Sequence, residues 1–313
     1  MYRKALRENP QEKNGIPHKV STDSSAIDPS DLALLAREQY QQNAWPLAKL
    51  QRAKTRLAAL ATKLQTFSET NPVPNKLRLD ESRLSVIATL GPVPHFDLVD
   101  VALEAGEIVH NLRSALDAAV WDLCVRDGHK PRAERLIGFP TVYEAKRWKE
   151  QARTKLDGAP AAVVERIRHL QPFRNPKSFY AVTALQDWNN FDKHQSGVEF
   201  LIEPRVYNPE LVSIRLKNVQ TAGGEWFPDR QMHQGSEVEI YRSEAELERV
   251  TGALTVLPVV RVRMPQGKYD VGEILATLVK STELMMDAIH YGMEFKSDPR
   301  GDFLPSAFPA TAP

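Results

Sequence analysis

The sequence predicts an α+β protein: a helical bundle around one long central helix, with an antiparallel β-sheet region and a returning C-terminal helix. Three stretches carry that expectation. Leu98 to Arg126 sets Val101, Ala105, Ile108, Leu112, Ala115, Leu116, Ala119 and Leu123 on one side at helical spacing, with no proline and no glycine except Gly106. After Gln195 the texture changes to β-rich runs, Val198–Ile202, Leu211–Leu216, Glu237–Arg242 and Leu254–Met264, separated by Pro, Gly and Asn. From Gly272 to Phe295 the helical period returns through Ile274, Leu275, Leu278, Leu284, Met285, Ala288 and Ile289.

The remaining elements follow in order. Residues 1–30 are polar and proline-bearing, and read as a disordered tail. Residues 31–195 read as the helical domain, opened by a helical stretch from Asp31 to Phe67 that Pro46 breaks or kinks into two. Asn71-Pro72-Val73-Pro74 ends it, and the imperfect alternation over 77–90 predicts a short strand or hairpin. The central helix comes next, with Gly128 as its stop. Short helices are expected at 142–156 and 160–170, the second with Pro160 in its first turn, and a further helix from Lys177 to Asp192. Residues 196–265 form the sheet region, 271–296 the helix that packs back on the bundle, and 297–313 a second disordered tail.

The chain has 313 residues with 41 Lys+Arg against 40 Asp+Glu, so overall charge argues for neither nucleic acid nor an anionic membrane. One cysteine, Cys124, excludes an internal disulfide and fits a reducing compartment; set in an apolar stripe, it reads as a buried structural thiol. No run is apolar and long enough for a membrane span, and the N-terminus lacks a signal-peptide core, so the cytoplasm is the expected location. Dinucleotide and phosphate-loop fingerprints are absent, and no cofactor is expected.

The candidate site lies on the central helix. Opposite its apolar stripe gather Glu107, His110, Arg113, Ser114, Asp117 and Trp121. A tryptophan in that row predicts that this second face is also covered, by another helix or a second subunit. A histidine among carboxylates and an arginine has the ingredients for general acid–base work. The same residues also suit an ion-paired network that fixes helix packing. A second cluster, Asp187 to His194, contributes Asn190, Asp192, Lys193 and His194 where a helix gives way to the sheet region. A third, Asp287-x-x-His290, echoes Glu107-x-x-His110; two such pairs on bundle helices suggest a metal site built from Glu107, His110, Asp287 and His290. The basic residues Lys49, Arg52, Lys54, Arg56 and Lys63 read as a solvated face, and Trp148 and Trp226 as packing residues.

The run from Ala105 to Asp117 with Trp121, then Phe139-Pro140, Leu170-Gln171-Pro172-Phe173 and Asn190-x-Asp192-Lys193-His194, resembles a family of uncharacterised bacterial proteins over residues 75–200. More distantly the helices look like the HEPN class of helical bundles. That resemblance implies a metal-independent ribonuclease of a toxin or phage-defence setting. An Arg four to six positions before a His marks the class; here the nearest form is Asn189-x4-His194. On this reading His110 or His194 is the general base, and Arg113 and Lys193 hold the phosphate of an RNA substrate. A non-enzymatic assembly protein, dimeric through its helical face, and a metal-dependent enzyme are the rival expectations.

Overall fold

The structure, a computed structural model, describes residues 44–174, 176–194, 198–207, 212–227, 234–252, 254–264 and 267–292, the side chains of residues 44, 127, 176–180 and 191–194 excepted. It is an α+β fold of helices and antiparallel sheets. The expected tails and the stretch 31–43 lie outside the described residues.

The helices are α1 (Ala44–Thr70), α2 (Leu98–Cys124), α3 (Trp148–Lys155), α4 (Ala161–His169), α5 (Pro176–His194) and α6 (Val271–Tyr291). Pro46 does not break α1. It sits in the first turn, where its missing N–H would have no intrahelical partner. Asp97 caps α2 by accepting from the Val99 and Asp100 backbone N–H groups at 3.1 Å each. The helix ends at Cys124, ahead of Gly128. The expected helix at 142–156 begins only at Trp148, after a short turn over Ala145–Arg147, and Pro160 lies just before α4 rather than inside it. Asp270 caps α6, and Gly292 closes it at φ +66° with its N–H on the Ala288 carbonyl. The positive φ is what favours glycine there, since the Arg166 guanidinium, 2.7 Å from the ideal Cβ position, is the end of a flexible side chain that can move aside.

The strands are β1 (Asn75–Leu79), β2 (Ser85–Leu90), β3 (Glu199–Tyr207), β4 (Ser213–Leu216), β5 (Gly224–Trp226), β6 (Glu237–Ser243), β7 (Leu247–Thr251), β8 (Thr255–Met264) and β9 (Gly267–Asp270). They form an antiparallel sheet in the order β1-β2-β6-β5, a second in the order β3-β8-β9, and the pair β4-β7. The expected hairpin is β1–β2, but it does not belong with the helices that flank it. It pairs with β6 and buries Val86, Ala88 and Leu90 beside Val238 and Ile240. The division at 195/196 is therefore one of sequence and not of packing.

Two cores result. In the first, the stripe of α2 meets Leu50, Ala53 and Leu60 of α1, Leu185 and Trp188 of α5, and Leu275, Leu278 and Ile289 of α6. The second lies between the sheets. Strand β8 joins them, with Val256 in the sheet core and Val260, Val262 and Met264 in the helical core. Pro258 is tolerated in its middle because it faces Pro204 in register, beyond the residues that β9 pairs. Cys124 is buried as expected, and burial pushes its thiol up to about 11, with Asp157 adding to the shift. Trp148 packs against Phe173, and Trp226 against Tyr241.

Candidate functional site: a cationic groove between two antiparallel helices

Helices α1 and α2 run antiparallel. Lys63 reaches Asp100 and, at 3.1 Å, Glu104 near the start of α2, while Arg56 reaches Glu107 at 2.9 Å further along. The β1–β2 hairpin is the excursion between them. Around the Arg56–Glu107 pair the helices leave an open groove of about 760 Å³. One wall is a single stripe of α1: Trp45, Lys49, Arg52 and Arg56, at i, i+4, i+7 and i+11. The other wall comes from α2 and includes Leu103, Glu107, His110 and Asn111.

The five basic residues of α1 were expected to form a solvated face, and they do not behave as one group. Lys54 pairs with Glu283 of α6 at 2.7 Å and Lys63 with the start of α2, so both tie helices together. Arg56 is held by Glu107. Among the described residues no carboxylate pairs with Lys49 or Arg52; the Lys49 ammonium instead lies 5.1 Å from the Trp45 ring centre.

The polar row of α2 is split along its length. His110 is exposed in the groove, its Nε2 3.5 Å from Ser114 Oγ. Arg113 and Asp117 have a different task. The Arg113 guanidinium, 11% exposed, donates to the Phe139 carbonyl, to Thr141 Oγ1 at 3.1 Å and to Asp117. Asp117 Oδ1 in turn accepts the Phe139 N–H at 2.8 Å. Together they latch the segment 138–141 across α2. A Cβ at Gly138 would come within 2.9 Å of Asp117 Oδ1, which accounts for a glycine there. The second face, expected to lie under another helix or a second subunit, is instead crossed at Arg113 by the segment 138–141, leaves Asp117 partly exposed, and is open at His110.

Helix α5 meets the far side of this latch. Thr141 Oγ1 lies 3.4 Å from Gln186 Oε1, and Gln186 Nε2 donates to Asn190 Oδ1 at 3.0 Å. Burial holds the Asp187 carboxyl above its usual range and raises the Tyr143 hydroxyl, to which Asp187 adds. Burial likewise lowers Lys155, with the Arg113 charge adding and Asp117 opposing. Asn189 and Asn190 do not form a turn; they lie inside α5, which continues to His194. The side chains of Asp192, Lys193 and His194 lie outside the described residues.

The quartet expected to bind a metal is not assembled. Glu107 and His110 face the groove. His290, buried, feels Arg126, just past the end of α2 and roughly 20 Å of helix rise from His110. Among the described residues no group of three or more His, Cys, Asp or Glu is placed to hold a metal ion. Nor is any helix of the described residues long and apolar enough to cross a membrane.

Fold and groove together define an α+β protein with a cationic cleft between two antiparallel helices. No family model, no curated protein and no solved structure matches the chain.

Proposed function

We propose that the protein binds RNA in the groove between α1 and α2, and that His110 makes it a metal-independent ribonuclease of the HEPN-like kind. The observation that carries this reading is the Lys49–Arg52–Arg56 stripe facing an exposed histidine. Cations at successive turns of one helix suit a phosphate backbone, and the near-neutral charge of the whole chain makes their concentration in one groove a local feature. In the reaction His110 takes the proton from a ribose 2′-hydroxyl as its oxygen bonds to the adjacent phosphorus. The bond from phosphorus to the 5′-oxygen breaks, and that oxygen takes a proton from water. Arg52 and Arg56 stabilise the charge that grows on the phosphoryl oxygens.

A labelled single-stranded RNA, incubated with excess chelator, tests this. The wild type binds and shortens it, His110→Ala binds without shortening it, and Lys49→Ala/Arg52→Ala binds poorly. Removing two phosphate contacts flattens the slope of log affinity against log salt by about 1.4. Absence of binding by the wild type ends the proposal. Cleavage that survives in His110→Ala but disappears in His194→Ala moves the centre to the end of α5, where Asn190, Asp192, Lys193 and His194 are the expected group.

The Arg56–Glu107 ion pair sets a further expectation. Glu107 occupies the cation that a phosphate would use, so Glu107→Gln binds RNA a few-fold more tightly and steepens the salt slope by about 0.7. Weaker binding by this variant shows instead that Glu107 holds Arg56 in place for the ligand.

Assembly through the same face is the second reading. It is favoured by Val99 and Leu103 of α2, 71% and 63% exposed one turn apart. Sedimentation of the wild type against Leu103→Asp decides it; a monomer in both cases removes it.

A further inference from the structure

We infer that the groove reads an unpaired base as well as the backbone, with Trp45 as the platform on which that base stacks, so that its ligand is single-stranded and not duplex nucleic acid. The inference rests on the RNA reading above.

Trp45 is 65% exposed, in a protein whose described Trp148 and Trp188 are buried. It begins the stripe that continues through Lys49 and Arg52, so an aromatic surface and the cations share one wall. The Lys49 ammonium lies over one face of the ring, 5.1 Å from its centre, so a base stacks on the other face with a cation close by for its phosphate. This combination of an exposed stacking ring and flanking cations is the chemistry by which single strands are held without base-specific hydrogen bonds.

The shape excludes a duplex from this contact. The groove lies between helices that touch and is bridged by the Arg56–Glu107 pair. In an A-form duplex the bases are stacked and paired, and only phosphates and ribose hydroxyls reach the rim. Stacking draws on the π-face that every base has, so the preference is for unpaired strand and not for one sequence.

The test compares wild type, Trp45→Phe and Trp45→Ala on four probes: a single-stranded RNA, a single-stranded DNA of the same sequence, an RNA duplex and inorganic polyphosphate. Helical content by circular dichroism checks each variant. The expected result is single-stranded RNA bound more tightly than duplex or polyphosphate, with Trp45→Ala weaker on the single strands by about tenfold, Trp45→Phe weaker by less, and polyphosphate binding unchanged. Equal loss on RNA and DNA assigns the contact to the base; loss on RNA alone assigns it to the ribose and overturns the inference. It is also overturned if Trp45→Ala binds single-stranded RNA as the wild type does, or loses polyphosphate equally, which makes Trp45 a support for Lys49. A wild type that binds no RNA at all fails the parent reading and this inference together.

Discussion

Replacing Arg113 by alanine lowers the stability of the protein by about 2–4 kcal/mol. The reason is what the substitution leaves behind. Arg113 satisfies the Phe139 carbonyl, the Thr141 hydroxyl and the Asp117 carboxylate from a position 11% exposed. Removing it strands these acceptors, and the Asp117 charge loses the cation that balances it. The upper end applies if water cannot enter, and the 41% exposure of the Asp117 side chain argues for the lower. Asp117→Asn does less harm, because its amide oxygen still accepts the Phe139 N–H. Arg215→Ala is the control: that side chain also meets a carboxylate, Glu248, at 3.3 Å, but with 76% and 53% of the two side chains exposed its loss leaves the denaturation midpoint nearly unchanged. Urea unfolding of the three variants checks the order. If Arg113→Ala melts with the wild type, the latch holds nothing together.

Acid weakens the fold through His290 by up to about 3 kcal/mol. Burial, then the Arg126 and Arg166 charges, hold its imidazole down to about 4 from an ordinary 6.5. In the unfolded chain the imidazole takes up a proton as pH falls below about 6.5; in the folded chain it resists until about 4. Between these values the unfolded state binds more protons, so stability is complete above pH 6.5 and declines as pH falls towards 4. Carboxylates titrate in acid too, so the quantity to measure is the difference between wild type and His290→Gln. That difference shifts in favour of the variant as pH drops from 6.5 to 4, and a pH-independent difference refutes the assignment.

The central helix was readable because its own residues carry the signal. Twelve buried positions from Val101 to Cys124 follow the helical repeat. The apolar repeat of α6 was readable in the same way, but its end was not: the helix was expected to run to 296, and Gly292 closes it after Tyr291. Strands β5, β7 and β9 were not read, because three to five residues such as Gly224–Trp226, Leu247–Thr251 or Gly267–Asp270 are too short to show a period; their pairing with β6, β4 and β8 makes them strands. The hairpin at 77–90 was readable as a hairpin, but its partner, β6, lies some 150 residues later and has no local mark.

The candidate site divides in the same way. His110, Arg113 and Asp117 fall on one side of a wheel, and periodicity alone treats them as equivalent. Contacts made elsewhere in the chain separate them: Phe139 and Thr141 draw Arg113 and Asp117 into a latch, while His110 remains open beside α1. The cations opposite His110 were visible as charges, and Trp45 begins their stripe at i, i+4, i+7 and i+11. What could not be read was which of them a carboxylate neutralises, since Glu283 and Asp100 reach Lys54 and Lys63 from other helices.

Local sequence therefore settled which segments become helices and which face of each turns inward, because propensity, capping and apolar spacing act over a few residues. The placement of the groove, the separation of latch from open histidine, and the dispersal of Glu107, His110, Asp287 and His290 came from packing. Whether two side chains meet depends on the crossing of elements far apart in the chain, and the burial of α2 against α1, α5 and α6 sets that crossing.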